Sequence, residues 1–165
     1  ASNGSFSNGC IINTMSQVTT SPNRVSITVN KSNFTHYMIR HSGKFNVSAI
    51  DESADFSLFK HFGFSSGRWE NKFYRFTSIR AGNGIPYVSE HTNAYFSCEV
   101  VQTIDLGTHT MFIADVVGVT VDDRYMDEKG KFLINEAGLV MYSHGEYFRM
   151  GEKLGKFGYS IQKNR

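Results

Sequence analysis

Two long runs rich in Val, Ile, Phe and Tyr, Ala94 to Ile104 and Thr108 to Val121, are separated only by the short connection Asp105-Leu-Gly-Thr108. Glycine in that connection allows the positive φ that a tight hairpin needs, and β-branched and aromatic residues fit a pleated surface. The two runs therefore read as one long antiparallel hairpin, and the rest of the chain has to supply strands that pair with it. Val25-Ser-Ile-Thr-Val29 alternates apolar and polar residues cleanly, and Cys10 to Val18 does so loosely. Ser21-Pro22-Asn23 between them is turn chemistry. Lys44 to Ile50 places Phe45, Val47 and Ala49 on one face, while Leu139 to Tyr142 and Gly145 to Met150 read as short strands.

Two helices are expected among these strands. The first follows Val29, with Asn33 as its N-cap, Phe34, Tyr37, Met38 and His41 at helical spacing, and Gly43 as its left-handed stop. The second spans Asp55 to Phe62, with Phe56, Phe59 and Phe62 on the buried stripe, Lys60 facing water and Gly63 as its stop. Asp122 to Glu136 reads as a short helix and loop, and Ala81-Gly-Asn-Gly-Ile-Pro86 as an exposed turn. Many short strands with few helices argue for an antiparallel barrel, because closure removes the edges that such strands would otherwise expose. One domain of 165 residues is the simplest account.

Composition narrows the function classes. Hydrophobic residues at 40% and aromatics at 14% exclude disorder, and a formal net charge of +2 is too small to imply a nucleic-acid surface. No apolar run approaches a bilayer span and no basic-then-apolar leader opens the chain, so the cytoplasm is the default compartment. Cys10 and Cys98 read as buried free thiols. Nothing resembles a nucleophile elbow, a zinc-protease helix or a metal-ligating Cys/His cluster, so no metal site and no catalytic dyad are expected.

The residues gathered where Val25–Val29 hands over to the first helix carry more information. Asn30, Lys31, Ser32 and Thr35 cluster at a helix start, where free N–H groups and the helix dipole attract an anion such as phosphate. On these residues alone, simple capping by Ser32 and Asn33 with a solvated Lys31 explains the pattern as well. Ser66, Gly67 and Arg68 form a small polar loop of the kind that approaches a ligand closely or merely turns the chain.

The motifs NGxxxNTxxQVTxxPxxVxxxxNKxNxTHxxI and SGKFxVS resemble the flavin reductase family with its FMN-binding split β-barrel, in particular the flavoredoxin-like branch. FGFSSGRxxNKF from Phe62 to Phe73, DLGTHTMFIADV from Asp105 to Val116 and GEYFRMGEKLGKFGYS from Gly145 to Ser160 extend the resemblance over nearly the whole chain. It implies a mainly β fold, a Greek-key-type antiparallel split barrel with a few short helices, with a further strand ahead of Asn8 that is short or missing here. It also implies FMN as cofactor, held in a surface groove near a homodimer interface, with NAD(P)H as electron donor. The acceptor would be free flavin, a ferric complex or a redox protein. A flavoredoxin-type carrier and a non-catalytic flavin-binding barrel are the alternatives.

On this resemblance the flavin phosphate sits on Asn30, Lys31, Ser32 and Thr35, with His36 beside them in the same motif. The ring runs along Asn13, Thr14, Met15, Ser16 and Gln17, which without the resemblance are simply the solvent face of a strand. Ser66, Gly67 and Arg68 lie beside the flavin, and Lys72 reaches its phosphate or pyrimidine end or else is solvated. His109 stands at the open face where the reductant docks, and Lys153 and Tyr159 lie near the cofactor or the dimer partner. The Gly-x-Gly of the exposed turn precedes no helix, so NAD(P)H binds without a Rossmann fold.

Overall fold

The predicted hairpin is the centre of the computed structural model, which describes residues 1–2, 4, 6–156 and 158. In chain order the elements are β1 (Ser16–Thr20), β2 (Asn23–Asn30), α1 (Phe34–Ser42), β3 (Lys44–Ile50) and α2 (Phe56–Phe64). They continue with β4 (Ser78–Arg80), β5 (Pro86–Val88), β6 (Thr92–Asp105), β7 (His109–Val121), β8 (Val140–Ser143) and β9 (Glu146–Arg149). Short 3-10 turns cover Lys72–Arg75 and Asp123–Tyr125, the second being all that is helical in the predicted 122–136 segment.

Five antiparallel strands form one sheet in the order β1-β2-β7-β6-β3. The β6–β7 hairpin thus sits between β2 and β3, with α1 crossing between those two in sequence, a Greek-key-type arrangement. Gly107 turns the hairpin at φ 79°. The ladder does not close on itself: β1 and β3 are its two edges, and the pairs β4-β5 and β8-β9 stand as separate small sheets. At the β3 side, Asn46 bridges to the small β4-β5 sheet by donating its side-chain amide to the Ile85 carbonyl at 3.0 Å.

Register decides what is buried. Val25, Ile27 and Val29 of β2 face Ala114, Phe112 and Thr110 of β7, and all six are buried. With Met38 and Ile39 of α1, Phe45 of β3 and Cys98 of β6, the five apolar ones among them make the principal core. Leu58, Phe59 and Phe62 of α2 form a second cluster with Val88, against which Tyr147 of the β8–β9 hairpin packs, its ring 4.6 Å from that of Phe59. A cavity of about 230 Å³, partly open to solvent, lies between the clusters, lined largely by apolar side chains.

Several sequence expectations need correction. Cys10 to Met15 is not a strand; only Ser16 onward pairs as β1, and all five of its residues are exposed. The buried stripe of α1 is Thr35, Met38 and Ile39; Phe34 is half-buried against the core, and Tyr37, exposed like His41, stacks between them with centroids 5.7 and 4.0 Å away. Phe56 is exposed, and α2 runs through Gly63 to stop at Ser65. Tyr159 lies outside the described residues, and no helix among the described residues is long and apolar enough to cross a membrane.

Cys98, a fully buried free thiol, gives the core a pH signature. Burial pushes its pKa from 9.0 up to about 12. The unfolded chain releases this proton near pH 9 while the folded chain keeps it. The contribution to stability is therefore whole below pH 9 and is lost as pH climbs toward 12, by about 1.4 kcal/mol per pH unit. Urea unfolding between about pH 8 and about pH 10.5 is expected to show that alkaline slope, and Cys98→Ala to flatten it by about one proton. Equal slopes for the two proteins would exclude the assignment.

Candidate functional site

The start of α1 is where most of the predicted site residues meet. Asn33 occupies the N-cap with extended backbone, but its side chain makes no capping bond. Asn30 instead accepts from the Ser32 N–H and hydroxyl, at 2.9 and 2.8 Å. Among the described residues the Phe34 and Thr35 amides have no acceptor. A helix with a poor self-cap keeps its positive end open to an external anion.

Three segments touch α1 or the strand that leads into it. The Ser66-Gly67-Arg68 loop comes from α2, and the Arg68 guanidinium lies over the Phe34 ring at 5.4 Å. The tip of the β6–β7 hairpin lies against the residues just ahead of the helix: the Lys31 N–H donates to the Thr108 carbonyl at 3.0 Å, and Asn30 pairs in register with His109. The Asn13–Gln17 stretch is pinned alongside β2 through Thr14, whose hydroxyl donates to the Thr28 carbonyl at 2.8 Å and accepts from its N–H at 3.0 Å. Asn13, Ser16 and Gln17 are left exposed, while Met15 turns half-buried toward the core.

His36 hydrogen-bonds Thr110 through Nε2 at 2.8 Å and packs on Phe112. Burial, with Arg40 and Lys31 nearby, holds its pKa below the ordinary value, so it is neutral at physiological pH and adds no charge to the anion site. His109 makes a 2.8 Å contact from Nδ1 to the Thr108 hydroxyl and keeps a half-buried ring at the rim.

Two predicted site residues turn inward. Thr35 is buried, and its hydroxyl accepts from Asn8 Nδ2 at 3.1 Å, so only its backbone N–H faces the site. Lys72 neither reaches outward nor is solvated: its ammonium is buried and donates to the carbonyls of Gly9 and Phe62, both at 3.0 Å. Burial lowers its pKa, opposed by Cys10 and Glu70. Lys72 fastens the Asn8–Cys10 segment to α2.

Asn8 and Asp105 escaped the sequence reading. Asn8 is 2% exposed, and its carboxamide lies flat against Gly67, where an added Cβ would stand 2.0 Å from Oδ1. Oδ1 is the one buried side-chain polar atom without a hydrogen-bond partner among the described residues. Asn8 thus joins the α1 start to the Ser66–Arg68 loop, and only glycine fits opposite it. Asp105 pairs with Lys31, both carboxylate oxygens lying 2.7 Å from Nζ. Each stands inside one of the family motifs, but the motif alone gives no hint of its contacts.

The model of the flavin reductase like domain matches residues 1–151. The chain belongs to the flavin reductase-like family. A ferric-chelate reductase (NAD(P)H) of Archaeoglobus fulgidus is 31% identical to this flavin reductase-like chain over 135 residues, covering 74% of it and 78% of the relative. A high molecular weight rubredoxin of Moorella thermoacetica is 36% identical over 121 residues, covering 73% of the chain but only 53% of the relative. The chain therefore spans about half of that longer protein. The flavoredoxin of Desulfovibrio vulgaris (Miyazaki F) superposes with a TM-score of 0.84 at 23% identity, covering 94% of this chain and 85% of that one. The fold is the split barrel of the flavin reductases.

The Asn8–Gly67 contact can be broken and repaired. Gly67→Ala is expected to destabilise the flavin reductase-like fold by about 1–3 kcal/mol through overpacking. Asn8→Ala in the same chain should return much of that loss, although alone it is destabilising through its lost bond to Thr35. A double-mutant cycle from urea unfolding checks this, and additive effects would mean that the two groups do not touch.

Proposed function

We propose that this chain is an FMN-binding oxidoreductase that passes electrons from NAD(P)H through the flavin to free flavin, a ferric complex or a redox protein. The observation that carries the reading is the open start of α1, with two unused amides, Lys31 just ahead of them in the chain and Arg68 stacked on Phe34. That donor set suits a phosphate, so the residues present fit the cofactor. The partly open cavity between the two core clusters, about 230 Å³, is below the roughly 300 Å³ at which ligand pockets begin. The flavin therefore belongs in the groove outside.

When bound, the flavin supplies the redox chemistry, taking up a hydride and releasing electrons singly or in pairs. The chain's own residues bind and orient. The Phe34 and Thr35 amides, Lys31 and Arg68 hold the phosphate, and Asn30 and Ser32 shape the turn before the helix. Asn13, Ser16 and Gln17 offer amides and hydroxyls to the polar edge of the ring, and Met15 an apolar contact. Thr14 acts by fixing that stretch to β2. His109 lines the rim where the reductant approaches, in its neutral form a donor and an acceptor for a carboxamide. The exposed side chains of Val18 on β1 and of Val117 and Val119 on β7 support a homodimer, with the flavin near the interface.

A flavoredoxin-type carrier is the second reading. It is favoured by the rubredoxin relative and by Phe64, Trp69 and Tyr74, which stand 87–88% exposed around the Arg68 loop as a landing surface for a redox protein.

An absorption spectrum with added FMN, followed by anaerobic NADH, tests the proposal. Flavin bands that bleach with NADH are expected; bands that bleach only when a reduced redox protein is supplied favour the carrier. Lys31→Ala with Arg68→Ala should weaken FMN by about 2–4 kcal/mol and riboflavin by far less. Equal losses for both ligands would rule out phosphate binding at α1.

A further inference from the structure

The Lys31 ammonium assigned above to the phosphate is already engaged by a carboxylate of this chain. Both Asp105 oxygens lie 2.7 Å from Nζ, so Asp105, although its side chain is 73% exposed, is held in place. Its Oδ1 also accepts the Gly107 N–H at 2.8 Å, and the bond from the Lys31 N–H to the Thr108 carbonyl holds the hairpin tip against the β2–α1 junction. The bond from Lys31, and then that from Gly107, holds the Asp105 carboxyl below the usual carboxylate range. A fixed negative charge therefore stands beside one of the two cations of the anion site.

We propose that Asp105 is a specificity-determining residue, which sets how strongly the α1 site discriminates among flavins by the charge on their phosphate. The proposal rests on the phosphate reading above. A carboxylate that shares Lys31 with the ligand repels it in proportion to the ligand's charge. The phosphomonoester of FMN carries nearly two negative charges on one group at neutral pH. Each bridging phosphate of FAD carries one, and riboflavin carries none. The penalty imposed by Asp105 is thus largest for FMN, smaller for FAD and absent for riboflavin, so the residue keeps FMN exchangeable and narrows the gap between FMN and FAD.

Asp105→Asn removes the charge and keeps an oxygen for the Gly107 N–H, so the turn is preserved. Dissociation constants for FMN, FAD and riboflavin, read from quenching of flavin fluorescence on the full chain, test the idea. At low salt Asp105→Asn is expected to tighten FMN about tenfold, FAD less, and riboflavin by less than about twofold. The gain for FMN should shrink at high salt. Asp105→Ser, a second way to remove the charge, should give the same order.

Unchanged or weaker FMN binding in both variants would overturn the proposal, since it would mean that Asp105 is inert or serves the ligand by orienting Lys31. Equal gains for all three flavins would overturn it as well, by showing a general loosening of the groove. Lys31→Ala in the same titrations separates the two levels. If it fails to weaken FMN selectively, the phosphate reading itself falls. If it does so while the Asp105 variants gain nothing, only the role of Asp105 falls.

Discussion

The pairing of Asn30 with His109 is the constraint on which the rest of the structure depends. It fixes the β2–β7 register, which places Val25, Ile27 and Val29 against Ala114, Phe112 and Thr110 and so closes the core. A slip of one residue would turn these side chains to the solvent face. The same pair ends the ladder where β2 turns into α1, so a single register aligns the core, the uncapped helix start and the hairpin tip that carries Asp105. Site geometry and core packing therefore rise or fall together here. The opposite face of α1, with Met38 and Ile39, is buried in that core.

Much of this was legible in the sequence, for identifiable reasons. Period-2 alternation marked β2 and β3, long β-branched and aromatic runs around a glycine turn marked the β6–β7 hairpin, and Asn33 and Gly43 bounded α1 correctly. The misreadings share one cause. Amphipathic spacing tells which residues share a face, not which face the tertiary structure covers. For α1 the predicted row was Phe34, Tyr37, Met38 and His41, yet the face that fits the sheet is Thr35, Met38 and Ile39: of the predicted row only Met38 is fully buried, Phe34 packs partly against the core, and Tyr37 and His41 lie exposed. The same reversal took the Thr35 hydroxyl away from the site. Cys10 to Met15 alternates loosely enough to pass for a strand, but its only strand-like pairing is the Thr14 side chain standing in for backbone against Thr28.

Charges were harder to read than faces. Lys31, Arg68 and Lys72 appear in the sequence as three cations in two motifs assigned to one ligand. The structure makes one an ion-pair partner, one a stacked guanidinium and one a buried fastener. Neither the Lys31–Asp105 pair nor the Asn8–Gly67 contact follows from local spacing, because each joins residues more than fifty positions apart.

The buried ammonium of Lys72 has a consequence of its own. Holding the Gly9 and Phe62 carbonyls, it is sealed from solvent while α2 stays docked on the Asn8–Cys10 segment. An amine-acylating reagent can reach that nitrogen only when the two part. Its rate of labelling, set beside that of an exposed lysine such as Lys60, counts those separations. One side chain thus turns the undocking of a helix into a chemical clock, and the clock runs without any flavin in the groove.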